Sequence, residues 1–355
     1  MGAQNIIVIM KFSALPNEVK IDFINQVAAK SNRKLPEQII EKDWWVTQVL
    51  KAVFSLPYAE HLSFKGGTPL SKCWHLIERF SEDIDIAIDR DFLGYGGELS
   101  RTQISDKLRR AACSFVREKM QFDVRDVLIA QGIDANAFKV NVNITSVSTT
   151  DPETIEIEYQ SVLPESPYIR HCVLIEVSGR SMQQPIKVEA LQSFIDQYLP
   201  ESVVAEPSFS IPSVVVPERT CLEKIFLLHE EFAKSADEIR TLRMSRHLYD
   251  LYCLKKKGIT ERALHDEQLY RTIIDHRRQF INLKGFDYDT LYPATLSILP
   301  LEHIMDAWRE DYEYMLLHMI YDNDAPTFEQ LIEAITELQK EIKTLPYQQQ
   351  SFNIL

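Results

Sequence analysis

The sequence of 355 residues predicts an α+β protein, in which a mixed sheet flanked by helices precedes an all-helical C-terminal domain. Short segments with the alternating apolar pattern of strands lie between His61 and Val177. Four prolines, at positions 200, 207, 212 and 217, then mark a boundary that holds one short strand, Val214–Val216. Helical periodicity continues from Pro217 onward. We therefore expect two domains, residues 1–200 with N-terminal helices and the sheet, and residues 201–355.

The composition is that of an ordinary soluble globular protein, with 45% hydrophobic and 26% charged residues. A formal net charge of -13 disfavours a protein that coats nucleic acid generally, although a local basic face remains compatible with it. The five cysteines are scattered without a C-x-x-C pair, which predicts neither a zinc site nor a disulfide framework. The apolar run at residues 6–10 is too short for a signal-peptide core. We expect a cytoplasmic protein with no membrane partner.

The N-terminal residues 14–56 are predicted to be mostly helical, with Pro16 and Pro36 near the helix starts. Trp44 and Trp45 are capable of stacking on a base. Tryptophans on a helix beside a sheet are more often core residues, and the core interpretation is favoured here.

A strand, a tight turn and a helix are predicted in succession from His61. The strand covers His61–Lys65, and Gly66-Gly67 form the turn. Thr68 is expected to cap a helix that continues to about Glu78. The backbone N–H groups and positive dipole at the start of such a helix suit a phosphate group.

The next segment, Asp83–Ile88, alternates acidic and apolar residues. On a strand, Asp83 and Asp85 share one face. Two carboxylates beside a phosphate cradle fit a Mg²⁺-dependent reaction at a nucleotide phosphate, because magnesium takes one or two carboxylates plus substrate phosphate. The alternative is a glycine turn beside a half-exposed edge strand.

Four further strands and two helices complete the predicted first domain. The strands are Phe122–Leu128, Phe138–Thr145, Thr154–Tyr159 and His171–Val177, and the helices are Thr102–Glu118 and Val188–Tyr198. Glu176 interrupts the apolar run of the last strand near its end. It is the candidate for a third carboxylate, or else a satisfied polar residue at a strand end.

The C-terminal half is predicted to contain five helices, over Glu218–Lys234, Ile239–Lys255, Asp266–Phe280, Glu302–Asp322 and Thr327–Lys343. Between Ile239 and Lys284 there are 11 Lys/Arg and 5 Asp/Glu, a net charge of +6. The remainder of the chain therefore carries -19. This basic segment indicates a localised polyanion site, although Lys255–Lys257 alone is typical of a solvated helix end.

Five segments together resemble the AbiEii/AbiGii toxin family, whose members are nucleotidyltransferases of the polymerase-beta-like superfamily. They occur in order between Glu41 and Tyr252. The segments are Glu41-Lys42-Asp43, Lys65-Gly66-Gly67-Thr68, Arg79-Phe80-Ser81-Glu82-Asp83-Ile84-Asp85, Glu223-Lys224-Ile225 and Arg246-His247-Leu248-Tyr249-Asp250-Leu251-Tyr252. The resemblance implies a nucleotidyltransferase-type sheet and the toxin half of a toxin–antitoxin or phage-defence pair.

The resemblance also implies roles for individual residues. Asp83 and Asp85 would hold Mg²⁺ or Mn²⁺. The catalytic set would be Asp83, Asp85, Glu176, Lys224 and Asp250. The nucleotide-binding set would be Lys65, Gly66, Gly67, Thr68, Ser81, Arg180, Lys224 and Arg246. Glu176 and Arg180 match the second motif of the superfamily only loosely, and a structural ion pair between two helices is the alternative for Lys224 and Asp250.

Three functions are compatible with these features. The favoured one is transfer of a nucleotide from an NTP to the 3′ end of an RNA, foremost a tRNA, by a toxin with a cognate antitoxin. The second is modification of a protein hydroxyl or a small molecule. The third is an inactive nucleotide- or antitoxin-binding module, which the two intact aspartates argue against.

Overall fold

The computed structural model describes residues 11–31, 33, 35–81, 83–143, 153–164, 169–199 and 206–348. The apolar run at residues 6–10, the last two residues of the predicted strand Phe138–Thr145, Glu82 and Pro200 lie outside these ranges. The chain divides into two compact units. The first contains residues 1–73, 82–179 and 186–214, and the second contains residues 74–81, 180–185 and 215–355. The single boundary near residue 200 stays a prediction.

The first unit contains a mixed sheet with the strand order β3-β4-β5-β2-β1-β7-β6 among the described residues. The strands are β1 (Leu62–Lys65), β2 (Asp83–Ile88), β3 (Phe138–Asn143), β4 (Thr154–Tyr159), β5 (Cys172–Ser178), β6 (Ile186–Leu191) and β7 (Phe209–Val215). β1 is antiparallel to β2 and parallel to β7, whereas β2 and β5 are parallel. Strands β3, β4 and β5 are joined antiparallel. The predicted mixed sheet is confirmed.

Six helices of the first unit are described: α1 (Asn17–Lys30), α2 (Glu37–Val53), α3 (Gly67–Lys72), α4 (Arg109–Phe115), α5 (Gln121–Ala130) and α6 (Phe194–Tyr198). Pro16 and Pro36 stand directly before α1 and α2, as predicted, because proline is tolerated where a helix begins. α2 is buried on all sides from Ile39 onward and packs against β5. Trp44 and Trp45 are core residues, and Trp45 stacks on Tyr159 with 4.9 Å between the ring centroids.

Two predicted elements of this unit are wrong. The segment Phe122–Leu128 is not a strand but part of α5, where Val124 and Leu128 are buried at helical spacing. The segment Val188–Tyr198 is not one helix, since it contains the end of β6 and all of α6. Ser193 separates the two and caps α6 by accepting a hydrogen bond from the backbone N–H of Asp196.

The helix after the glycine turn is also shorter than predicted. α3 ends at Lys72, and not near Glu78. His75 has a φ of 51°, which is outside the right-handed helical region. The residues that follow extend along another segment of the second unit, where Phe80 N donates to Met319 O at 2.8 Å and Tyr321 N donates to Glu78 O at 3.0 Å.

Helices dominate the C-terminal part of the second unit, as predicted. They are α7 (Pro217–Phe232), α8 (Ser245–Lys256), α9 (Ile259–His265), α10 (Glu267–His276), α11 (Met305–His318) and α12 (Phe328–Lys343). α9 is absent from the sequence prediction; it follows Gly258, whose φ of 70° ends α8 and redirects the chain. No helix among the described residues is long and apolar enough to cross a membrane.

Candidate active site

The turn between β1 and α3 depends on Gly66. Its backbone, at φ 87° and ψ -151°, lies in a region that is essentially restricted to glycine. A Cβ at this position would lie 2.1 Å from Oδ2 of Asp85. The absence of a side chain at Gly66 therefore lets the turn lie directly against the Asp85 carboxylate.

Thr68 lies inside helix α3 and not at its N-cap position. Gly66 is the N-cap of α3, and the helix begins at Gly67. The prediction that Thr68 is the cap is therefore wrong. Its buried hydroxyl donates a hydrogen bond of 2.5 Å to the backbone carbonyl of Asp83. Thr68 thus ties α3 to the first residue of β2.

Asp83 and Asp85 lie on one face of β2, as their spacing predicts. Both are half-buried, whereas Ile84 and Ile86 are buried on the opposite face. The strand register places Asp85 beside Lys65 of β1 and beside Glu176 of β5. The Lys65 ammonium is 3.9 Å from Oδ1 of Asp85. One row across three strands therefore carries the Lys65 cation followed by two acidic side chains, Asp85 and Glu176.

The two aspartates fit a magnesium or manganese ion that takes its remaining ligands from substrate and water, because such ions commonly use one or two carboxylates. Within the described ranges, no group of three or more His, Cys, Asp or Glu side chains is placed to hold a metal ion. Glu176 is in register with Asp85, but it does not form a three-carboxylate cage with the two aspartates.

The second unit contains a buried charged cluster centred on Asp250, which is fully buried on α8. Arg79 donates from Nε to Oδ1 at 2.7 Å and from Nη2 to Oδ2 at 2.8 Å. Lys224 of α7 places its Nζ 2.8 Å from Oδ2. Lys224 and Asp250 are therefore in direct contact, as both the catalytic and the structural interpretations require.

Burial and neighbouring charges set the protonation of this cluster. Burial favours a raised pKa for Asp250, but Arg79 and Lys224 outweigh it and hold that pKa well below its usual value. Burial lowers the pKa of Lys224, and Arg79 lowers it further, against the opposing effect of Asp250. Burial, Lys224 and Arg246 keep the pKa of His247 well below its usual value. His247 is therefore neutral, with Nδ1 3.5 Å from the Lys224 ammonium.

The remaining predicted nucleotide-binding residues, Ser81, Arg180 and Arg246, are half-buried members of the second unit. Arg246 precedes His247 on α8, and its charge acts on the pKa of that histidine. Arg79 is not among the candidate site residues that the sequence predicts. Its only signal was its place in the Arg79–Asp85 segment, since its partner lies 171 positions further along the chain.

The Glu41-Lys42-Asp43 segment forms internal contacts of the first unit. Glu41 accepts hydrogen bonds from the Ser161 hydroxyl at 2.5 Å and from Val162 N at 2.8 Å. Asp43 accepts from Lys72 Nζ at 2.5 Å and from Phe194 N at 2.8 Å. Burial raises the pKa of both carboxyl groups. This segment ties α2 to a loop, to α3 and to the start of α6.

Most of the basic residues between Ile239 and Lys284 pair with carboxylates. Arg240 pairs with Glu231, Lys255 with Glu341, Arg262 with Glu218, Arg271 with Glu267, Arg277 with Glu230 and Arg278 with Asp289. Five of these six partners lie outside the basic segment. The net charge of +6 along the sequence is therefore largely neutralised in the fold.

The model of the family described as "Nucleotidyl transferase AbiEii toxin, Type IV TA system" matches residues 48–334. No curated protein matches the chain in sequence.

Among solved structures, the nucleotidyltransferase toxin MenT4 from Mycobacterium tuberculosis is similar at 15% identity and a TM-score of 0.48, covering 94% of this chain and 91% of that one. JHP933 from Helicobacter pylori is similar at 16% identity and a TM-score of 0.41, covering 87% and 93%. A putative nucleotidyltransferase from H. pylori has 14% identity and a TM-score of 0.37, covering 87% and 96%.

Proposed function

Because the chain belongs to the AbiEii family of nucleotidyltransferase toxins of type IV toxin–antitoxin systems, we propose that it transfers a nucleotide from an NTP to the 3′ end of an RNA, foremost a tRNA. The observation that carries this proposal is the contact between Gly66 and Asp85. A glycine turn that accommodates a carboxylate, beside a second carboxylate on the same face, suits a metal-bound triphosphate.

In the proposed reaction, the 3′ hydroxyl oxygen of the acceptor attacks the α-phosphorus of the NTP. A new P–O bond forms to the acceptor, and the hydroxyl proton passes to water. The bond between the α-phosphorus and the oxygen that bridges it to the β-phosphate breaks, and pyrophosphate leaves with its electron pair. Mg²⁺ or Mn²⁺, held by Asp83 and Asp85, would supply Lewis-acid stabilisation of the charge that develops on the phosphates.

The residues of the turn bind and neutralise the triphosphate in this proposal. The backbone of Gly66, Gly67 and Thr68 provides N–H donors, since the hydroxyl of Thr68 is engaged with the Asp83 carbonyl. Lys65 contributes a positive charge beside Asp85. We assign Glu176 to orientation of the acceptor hydroxyl.

The second unit supplies further nucleotide-binding groups in this proposal. Lys224 neutralises phosphate charge, and Asp250 fixes its ammonium group. Ser81, Arg180 and Arg246 complete the set through contacts with the nucleotide. The acceptor RNA binds at exposed basic residues, and a cognate antitoxin, which membership of this toxin family implies, opposes the activity.

The test is incubation of the full chain with each of four labelled NTPs, with a cellular RNA pool and without it. We expect label in RNA, with pyrophosphate released. Label in the protein or in a small molecule would favour the second function. No incorporation from any NTP would contradict the proposal.

Two variants and a matched control test whether Asp83 and Asp85 are required for nucleotide incorporation. Asp83→Ala and Asp85→Ala are expected to abolish incorporation and to leave thermal unfolding near that of the wild type, because both residues are half-buried at a polar face. Asp126→Ala removes an exposed carboxylate of the same unit, and its incorporation should equal that of the wild type. Full incorporation by both site variants would remove the metal assignment.

A further inference from the structure

Arg79 lies in the buried cluster of the second unit and has no role in the reaction as described above. It donates to both oxygens of Asp250, the same carboxylate that contacts Lys224. We propose that Arg79 is a positioning residue: by saturating Asp250, it keeps the positive charge of Lys224 available to a phosphate group of the nucleotide. This inference rests on the proposed function, in which Lys224 neutralises phosphate charge of the nucleotide.

The geometry assigns each oxygen of Asp250 a defined partner. Oδ1 accepts from Arg79 Nε at 2.7 Å, and Oδ2 is shared between Arg79 Nη2 and Lys224 Nζ, each at 2.8 Å. A guanidinium group that donates two parallel hydrogen bonds fixes the plane of a carboxylate. Arg79 is itself held in place, because its Nη1 donates to Phe80 O at 3.2 Å and Phe80 N donates to Met319 O at 2.8 Å.

The charges of the cluster do not balance. Arg79 and Lys224 are cations, Asp250 is an anion and His247 is neutral, so these four buried residues carry one net positive charge. A charge held away from water is costly unless an opposite charge compensates it. A phosphate group of the nucleotide provides that opposite charge. Without Arg79, Asp250 would pair with Lys224 alone and neutralise it.

The groups around Lys224 determine how its charge responds to a substitution. Asp250, His247 and Arg246 face it from α8, and Arg79 faces it from the segment that pairs with Met319. Asp250 raises the pKa of Lys224, whereas burial, Arg79 and Arg246 lower it. Removal of Arg79 therefore raises the pKa of Lys224 and strengthens its pairing with Asp250.

The experiment compares Arg79→Met with the wild type in the full chain. The KM for the NTP is expected to rise by about tenfold or more, because Lys224 would then be paired with Asp250 and its charge would be less available to a phosphate group. The value of kcat should change less, and the alkaline limb of the pH profile of kcat/KM should move to higher pH. Independently of activity, the Lys224 side chain should titrate at higher pH in NMR spectra of ¹³C-labelled lysine, where Lys224→Arg identifies its resonance.

A matched control separates positioning from stability. Arg277 forms the same two-pronged contact with the buried Glu230 in the same unit. Arg277→Met should lower the melting temperature comparably and leave both the KM and the alkaline limb unchanged. Arg79→Lys retains the positive charge but cannot donate to both oxygens of Asp250. The pKa of Lys224 should therefore return to its wild-type value, whereas the KM should lie between those of the wild type and Arg79→Met. Arg79→Lys also provides the test if thermal unfolding shows that Arg79→Met does not fold.

The outcomes distinguish this inference from the proposed function. The inference is overturned if the Arg79 variants have the same KM and the same alkaline limb of the kcat/KM profile as Arg277→Met. It is also overturned if Lys224 titrates in Arg79→Met as it does in the wild type. In either case Arg79 is a structural residue only. If the wild type incorporates no nucleotide, or if Lys224→Met keeps the wild-type KM, the proposed function fails. The lysine titration then still decides whether Arg79 governs the charge of Lys224.

Discussion

Replacement of Gly66 with alanine tests the geometry of the site, because one added carbon has two separate costs. The first is backbone strain: φ 87° with ψ -151° costs a non-glycine residue about 1–3 kcal/mol. The second is a collision. The new Cβ would lie 2.1 Å from Oδ2 of Asp85, and a shift of about 0.9 Å is needed to bring that distance to 3.0 Å. A displacement of about 1 Å of a catalytic group can lower a rate roughly 10²-fold.

The matched control is Gly132→Ala in the same unit. Gly132 also has a positive φ of 95°, but a Cβ there would meet no atom within 4 Å. Both variants should lose about 1–3 kcal/mol in the free energy of unfolding to backbone strain, and Gly66→Ala should lose more than Gly132→Ala because of the collision; urea unfolding measures both losses. Only Gly66→Ala should lose nucleotide incorporation, by roughly two orders of magnitude.

A double-mutant cycle identifies the carboxylate that the new methyl group displaces. When Asp85 is already alanine, Gly66→Ala should cost only the backbone strain, so the two effects on stability should not be additive. The prediction is refuted if folded Gly66→Ala is as active as Gly132→Ala. It would then follow that the present position of Asp85 is not needed for the reaction.

Three further outcomes are expected. Thr68→Val should lower the free energy of unfolding, measured with urea, by about 1–3 kcal/mol, because it leaves the Asp83 carbonyl without its hydroxyl donor. Thr68→Val should also lower nucleotide incorporation, and Thr68→Ser, which keeps the hydroxyl, should restore both stability and incorporation. The pKa of His247 is 6.5 in the unfolded chain and lower in the fold. The contribution of neutral His247 to the free energy of unfolding is therefore complete above pH 6.5 and is lost as the pH falls toward the pKa of the folded chain, by at most about 1.4 kcal/mol per pH unit. Urea unfolding at several pH values should show a smaller pH dependence for His247→Gln than for the wild type. An equal pH dependence would contradict the assignment. Lys256→Glu with Lys257→Glu should weaken RNA binding more at low salt than at high salt, as measured by filter binding, and unchanged affinity would place the RNA elsewhere.

The sequence predicts the central part of the sheet well because its strands carry their own signal. Alternation alone delimits Thr154–Tyr159 as the structure has it, and it puts Asp83 and Asp85 on one face. The edge strand Ile186–Leu191 is harder to predict, since only Leu191 in it is buried and its residues resemble an exposed helix. The segment Phe122–Leu128 is ambiguous in another way. Its apolar residues fit both the two-residue period of a strand and the 3.6-residue period of a helix, and only the neighbouring helical turns decide between them.

The contacts of the charged residues could not be predicted, because they join distant parts of the chain. A count along Ile239–Lys284 gives a basic segment, yet Glu231, Glu341 and Glu218 reach it from outside and neutralise much of its charge. Sequence windows treat a charge as free unless its partner lies within a few positions. The acceptor site is therefore better sought at exposed lysines such as Lys256 and Lys257 than across the whole segment.

Residues of the Gly66-Gly67 turn and of strand β2 depend on each other for their positions in the candidate site. In the sequence, the glycine pair and Thr68 are interpreted as a phosphate cradle, and the two aspartates as a metal site beside it. In the structure, Gly66 makes room for the Asp85 carboxylate, and the Thr68 hydroxyl holds the carbonyl of Asp83. The turn therefore positions the carboxylates. It follows that substitutions at Gly66 and Thr68 should impair metal binding as well as nucleotide binding, which a phosphate cradle alone would not require.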